Sequence, residues 1–413
     1  MTATALTIDV PRLPVGESFD AAIEWLRANL RPLFSFIGMV IETCVDALTG
    51  LFAATSATQF TLLAAAVVAG ALLARGVRRP VYIAVAAWAV LYIAELGAGA
   101  AAAVIGSLPA PLFLWAMGLF GAEYVYPPLV LALLLLAALT AVSLALVRHR
   151  RTWLVTGGAW AALLLVLVLH FIAGVQLALL VAPLFVVLAL AVAGWRVALF
   201  AAIGFLLIIS MDKWDNAMSS LALIIVATVI AVGVSLPIGV LAAYNDRVSA
   251  VLKPLLDFMQ TLPAFVYLLP AIAFFSIGAV PGVIATVIFA MPPGVRLTEL
   301  GIRQVDPELV EAGEAFGAPD LQILGRIQLP LALATIMAGI NQVIMLSLSM
   351  VVIAGMVGAG GLGNDVYVGI AQGNVPVGFE GGIAVVILAI YLDRLTGAIT
   401  RFSPAARAAR ARA

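Results

Sequence analysis

The chain has 413 residues, 64% of them hydrophobic and only 10% charged, with a mean hydropathy of +1.19. A soluble domain carries about 25% charged residues, so an ordinary water-soluble globule is excluded and an all-α, polytopic membrane protein in contact with lipid is expected. The 21 lysines and arginines balance 21 aspartates and glutamates, which argues against a nucleic-acid partner. The lone Cys44 can make neither an internal disulfide nor a metal site.

In chain order, the N-terminal stretch lacks the basic-then-apolar layout of a cleavable signal peptide, so insertion is expected to rely on the first true span. Residues 1–56 read as an external or interfacial segment. Trp25, Leu26, Leu30, Leu33, Phe34 and Ile37 make a helical apolar stripe that Glu24, Arg27, Arg31, Glu42 and Asp46 interrupt. That is the pattern of one or two amphipathic helices, lying on the membrane surface or packed on the protein's own flank.

From residue 57 the apolar runs reach the roughly 20 residues that cross a hydrocarbon core. The predicted spans are 57–75, 81–105, 127–147, 153–172, 174–193, 197–211, 217–243, 257–277, 279–294, 331–356 and 382–400, about eleven transmembrane helices in all. The sixth is short, and 111–126 reads as a re-entrant or interfacial piece. Residues 57–211 thus hold additional transmembrane helices, 217–400 a five-helix core with a water-facing loop at 303–330, and 401–413 a basic tail.

These spans place every arginine cluster on the cytoplasmic side: Arg75, Arg78 and Arg79; Arg148, Arg150 and Arg151; Arg196; Arg247 with Lys253; Arg296, Arg303 and Arg326; Arg394, Arg401 and the tail. The N-terminus, 211–215 and the glycine-rich 357–381 then lie outside, and the C-terminus inside.

The run 306–330, DPELVEAGEAFGAPDLQILGRIQLP, is the longest of the C-terminal half that is unfit for a bilayer. It should face water and meet a partner. Asp306 can cap free N–H groups, Pro307 suits the first helical position, and Gly317 suits the left-handed residue after the end; Pro319 and Asp320 then start a second short helix. Glu308, Glu311 and Glu314 recur on one side of the first helix, and Leu309, Ala312 and Phe316 fall on another.

Glu311, Ala312 and Gly313, then three residues to Gly317 and nine more to Ile327, Gln328, Leu329 and Pro330, resemble the cytoplasmic EAA loop of permease subunits of binding-protein-dependent ABC importers. Gly313 stands where the motif usually has alanine. The runs LLDFMQTLPAFVY at 255–267 and LSLSMVVIAGMVGAGGLG at 346–363 are similar to the glycine betaine, proline and choline branch, and the resemblance covers about 217–400. The apolar block from about 57 to 175 is an elaboration on that plan.

The resemblance implies a coupling helix that docks into a cleft on an ABC ATPase, with Glu308, Leu309, Glu311, Ala312, Gly313, Phe316, Gly317 and Pro330 as coupling residues. It also implies two ATPase copies that bind ATP and Mg, a second copy of this permease, and an external substrate-binding protein that holds the aromatic cage for a quaternary ammonium. The place would be the bacterial cytoplasmic membrane and the cargo a small compatible solute. The chain ends soon after its last span with Arg407, Arg410 and Arg412, so no fused binding domain is expected.

No catalytic residue and no cofactor are expected in the chain itself. Lys213 follows Asp212 and Lys253 follows Leu252, so neither belongs to the Gly-Lys-Ser/Thr loop that holds nucleotide phosphates. The run from Gly358 to Gly363 matches G-x-G-x-x-G, but it follows an apolar span rather than a strand and reads as a tight external turn. Glu95 lies mid-span, where a hydrogen bond to a neighbouring helix or a proton relay would account for it. His170 sits near a span end and His149 in an arginine cluster, which suggests no shared metal site.

Gln260, Thr261, Tyr267, Asn341, Gln342, Ser347 and Ser349 are the polar groups of the core spans expected to face inward, and as a set they are the candidate translocation path. Lys253 and Asp257, four apart, are expected to pair. The rival reading is an ion-coupled secondary transporter or channel that works without an ATPase. Such proteins commonly carry inverted repeats, and no internal repeat is visible.

Overall fold

Every element of the described chain is helical, as a bilayer demands of a backbone whose polar groups must pair within each segment. The computed structural model describes residues 15–53, 63 and 177–400. The predicted spans 57–75, 81–105, 127–147 and 153–172 lie outside these residues, as do 111–126, Glu95, His149, His170 and the tail 401–413.

The helices are α1 Val15–Asn29, α2 Arg31–Ala53, α3 Leu177–Val192, α4 Trp195–Ser210, α5 Trp214–Tyr244, α6 Asp246–Thr261, α7 Ala264–Phe275, α8 Ala279–Arg303, α9 Pro307–Ala315 and α10 Asp320–Ile323. A π-helical turn, Leu324–Gln328, joins α10 to α11 Leu329–Gly355; α12 Gly361–Ala371 and α13 Val375–Thr400 follow. Among the described residues five helices are long and apolar enough to cross a membrane: Arg31–Ala53, Trp214–Tyr244, Ala279–Arg303, the continuous Asp320–Gly355, and Val375–Ala398. The bent pair α6 and α7 makes a sixth if counted as one span. The shorter apolar α3 and α4 fall on the predicted 174–193 and 197–211.

α8 lies between α5 and α11 and forms its most extensive packing with those two. The seams are lined with small residues, because helices in lipid associate by close approach and not by expelling water. A Cβ added at Gly239 would lie 2.6 Å from the Thr298 Cβ, and one at Gly294 would lie 2.6 Å from the Ser235 Oγ.

The structure departs from the sequence reading in four places. α2 takes the second of its two expected placements, on the protein's own flank, where it buries Ile41, Val45 and Phe52 against α5 and α8, but it also has the length and hydropathy of a crossing helix. Phe34 at its start stacks on Phe274 with ring centroids 4.4 Å apart. The predicted span 257–277 is instead two helices bent by 98°. Pro263 holds Leu262 extended (φ −68°, ψ 134°), since a residue before proline avoids the α region.

The third departure is α8, which runs on to Arg303, well past the predicted 294. Pro292 and Pro293 are buried inside it without ending it, and the last turns carry Arg296, Glu299 and Arg303 beyond the apolar run. Fourth, the tight turn expected at 358–363 does form, but a helix not foreseen in the glycine-rich 357–381 follows from it. Gly358 and Gly360 adopt φ of +79° and +74°, and α12 then opens at Gly361 and folds back against α11 and α13.

Lys213 Nζ lies 3.4 Å from Asp365 Oδ2, and the Gly278 N–H donates to the Val357 carbonyl at 3.0 Å. Residues 211–215, 276–278 and 357–365 therefore share one end of the bundle. At the other end Arg303 bonds Asp246 and Tyr244 bonds Gln328. This grouping matches the predicted sharing of sides.

Candidate functional site

The 303–330 loop is built by its own local chemistry. The Asp306 carboxylate accepts from the Glu308 N–H at 3.0 Å, and Pro307 occupies the first turn, where its missing N–H costs nothing. At the other end Gly317 takes φ +73°. There the N–H groups of Phe316, Gly317 and Ala318 return to the carbonyls of Ala312, Glu314 and Gly313, which closes the helix as a left-handed cap does.

What this helix presents is unusual for a membrane protein: none of the side chains of α9 is buried. Glu308, Glu311, Glu314 and Ala312 are exposed; Leu309 is 45% exposed, Phe316 at the tip 92% and Leu321 beside it 83%. The inward side is Val310 with Gly313. A Cβ on Gly313 would meet the Ile327 Cδ1 at 2.9 Å, so a small residue is needed for α9 to lie over the second leg of the loop. Pro330 is exposed at the start of α11. The second short helix predicted at Asp320 does form, but the π-helical turn carries it directly into α11.

Beneath α9 is a cleft of about 390 Å³ lined by Tyr244, Arg303, Val310, Glu311, Glu314 and Gln328 among others. Arg303 borders it on one side, with Nε 3.0 Å from Glu299 Oε1 and Nη2 2.7 Å from Asp246 Oδ1. Sequence reasoning placed Arg303 as a topology signal at the start of the loop and Gln328 as part of the EAA pattern, and it missed Glu299 and Tyr244. The i, i+4 spacing of Glu299 and Arg303 was the signal available for Glu299.

The structure separates the seven candidate path residues. Gln342 and Ser349 lie on an exposed face of α11 together with Met345 and Met356; the Ser349 hydroxyl donates to the Met345 carbonyl at 3.1 Å. Gln260 and Thr261 are exposed at the end of α6. Tyr267 is buried at 8% and closes the bend by donating to the Met259 carbonyl. Asn341 accepts from the Thr396 hydroxyl on α13 at 3.0 Å. Ser347 is fully buried, and its hydroxyl has no hydrogen-bond partner among the described residues.

The expected Lys253–Asp257 pair does not form. Asp257 bonds Arg296 on α8, because α6 lies along α8 and offers it a partner across the helices.

The profile of the family of binding-protein-dependent transport system inner membrane components matches residues 235–402, from the second half of α5 to the end of α13. The glycine betaine transport system permease protein OpuAB of Bacillus subtilis is 58% identical over 200 residues, 48% of this chain and 71% of that protein. The chain belongs to this family of importer permeases. The permease is also 54% identical over 207 residues to the glycine betaine/carnitine transport permease protein GbuB of Listeria monocytogenes (50% and 73% of the two chains). Against the glycine betaine/proline betaine permease protein ProW of Salmonella typhimurium it is 49% identical over 220 residues (53% and 62%). It is an integral inner-membrane protein, the transmembrane subunit of an ATP-driven importer.

Proposed function

We propose that the permease carries a small zwitterionic or quaternary-ammonium compatible solute inward, driven by a separate ABC ATPase that grips α9. The observation that carries this reading is α9 itself: nine residues, capped at both ends, with no side chain buried and Phe316 standing 92% exposed at its tip. A large apolar group held rigidly in water is the anchor of an interface. The acidic row Glu308, Glu311 and Glu314 would steer a basic cleft onto it. Leu309, Ala312, Gly313, Gly317 and Pro330 shape and brace the same surface.

In this assembly two permeases form the path, two ATPases bind ATP and Mg, and an external binding protein delivers solute at the end bearing 211–215 and α12. The loop end faces the cytoplasm, with the N-terminus outside and the C-terminus inside. The solutes in the relatives' names, glycine betaine, carnitine and proline betaine, all join a quaternary ammonium to a carboxylate. The exposed stripe of α11, with Gln342, Met345, Ser349 and Met356, supports that class. It is uncharged, so it would neither repel nor trap a solute of zero net charge. Gln260, Thr261, Tyr267, Asn341 and Ser347 complete or buttress the path.

The test is uptake of glycine betaine, proline, choline and carnitine by proteoliposomes holding the permease, its ATPase and its binding protein. Glu311→Arg and Gly317→Asp should insert normally and lose ATP-dependent uptake; wild-type uptake by either would refute the docking role of α9.

A further inference from the structure

We infer that the corner between α5 and α6, residues 242–249, is the joint that receives the stroke of the coupling loop, with Tyr244 and Glu299 as its positioning residues. This rests on the docking of α9 proposed above and adds the route by which that motion enters the membrane helices.

The two legs of the loop are tied to this one corner. On the incoming leg Arg303, three residues before the cap Asp306, bonds three groups. Its Nε meets Glu299 Oε1 at 3.0 Å, and its Nη2 meets Asp246 Oδ1 at 2.7 Å and the Ala242 carbonyl at 2.8 Å. Glu299 is buried at 7%, and its Oε1 also accepts from the Ser249 hydroxyl at 2.7 Å. A buried carboxylate is tolerated only when so satisfied, and here the satisfying groups come from two different helices. On the outgoing leg the Tyr244 hydroxyl donates to Gln328 Oε1, at the end of the π-helical turn and itself only 9% exposed.

Between these ties a cleft of about 390 Å³ lies between the corner and the Glu311 and Glu314 side of α9. A push on α9 reaches the bundle through the apolar cluster that Val310 joins with Ile302, Val305 and Ala332 and through the hydrogen-bonded ties at 303 and 328, and those two ties lead to 242–249. Apolar contacts could slide under that load, whereas directional hydrogen bonds hold register.

From the corner the path continues along α6. Asn245 caps α6 by accepting from the N–H groups of Arg247 and Val248, and Arg296 holds the far part of the helix at Asp257. α6 is thus a bar anchored to α8 near both ends, leading to the 98° bend into α7. The π-helical turn interrupts an otherwise continuous 320–355 helix, and such turns are common at functional sites.

The experiment measures solute uptake and ATP hydrolysis in the same proteoliposomes, using permease, ATPase and binding protein together. Tyr244→Phe and Glu299→Gln should keep wild-type association with the ATPase and wild-type basal hydrolysis. The solute moved per ATP should fall about fivefold, the factor one hydrogen bond sets on a two-state equilibrium. A merely structural defect would lower uptake and hydrolysis together and leave that ratio unchanged. Tyr244→Phe combined with Gln328→Leu should be no worse than either alone, since both remove one bond.

A wild-type ratio in both Tyr244→Phe and Glu299→Gln, or additive losses at 244 and 328, overturns the inference while leaving α9 docking intact. Failure of the unaltered permease to bind an ATPase overturns the docking reading itself. Should Glu299→Gln not accumulate, the 244 and 328 pair decides.

Discussion

The two ends of the bundle differ in how closely backbone meets backbone. Around α12 backbone lies on backbone: a Cβ on Gly363 would sit 2.2 Å from the Val351 carbonyl oxygen, and one on Gly369 would sit 2.4 Å from the Gly378 Cα. At the loop end the ties are side-chain tips, Arg303 to Glu299 and Asp246 and Tyr244 to Gln328, arranged around a cleft. Backbone contacts leave no rotamer to adjust, whereas side-chain bonds can follow a moving partner.

Substitutions sharpen this contrast in order of expected cost. Gly363→Ala forces a methyl into backbone and should destabilise by about 3 kcal/mol or more; a melting temperature equal to wild type in the purified permease would show that this end yields. Lys213→Met removes the cation 3.4 Å from Asp365 and should lose about 1–3 kcal/mol, the cost of leaving a largely buried acceptor without one partner. It leaves Asp365, with a side chain only 12% exposed, to the Asn216 amide at 2.8 Å. The check is the same melting curve, and an unchanged midpoint would mean that the pair is solvated.

At the loop end the costs shrink. Gly317→Ala places a Cβ at φ +73° and should cost roughly 1–2 kcal/mol, read as a lower melting temperature with the protein still folded. Gly313→Ala meets the movable tip of Ile327 at 2.9 Å and the Ile323 side chain at 3.4 Å, and should cost about 0.5–1 kcal/mol with uptake retained. Phe316→Ala should also stay within about 0.5 kcal/mol, since the ring is exposed, yet lose ATP-driven uptake. If Phe316→Ala transports normally, the exposed ring is not an anchor.

The sequence alone determined what depends on neighbours within a turn or on total apolar length. Hydropathy over some twenty residues placed α5, α11 and α13, because the thickness of a hydrocarbon core sets the length of a crossing helix. Asp306, Pro307 and Gly317 announced both ends of α9, because caps satisfy backbone groups only a few residues away. The EAA pattern then singled out the same stretch by resemblance.

Only the tertiary structure decided which distant groups meet. Asp257 chose Arg296 over Lys253, and Glu299 became a buried hub. The candidate path residues split, with Gln342 and Ser349 exposed and Asn341 tied to Thr396. The 98° bend at Pro263 and the burial of one side of α2 belong to the same class. Each depends on which helix lies alongside, and that is settled by packing among segments tens of residues apart, which no local pattern encodes.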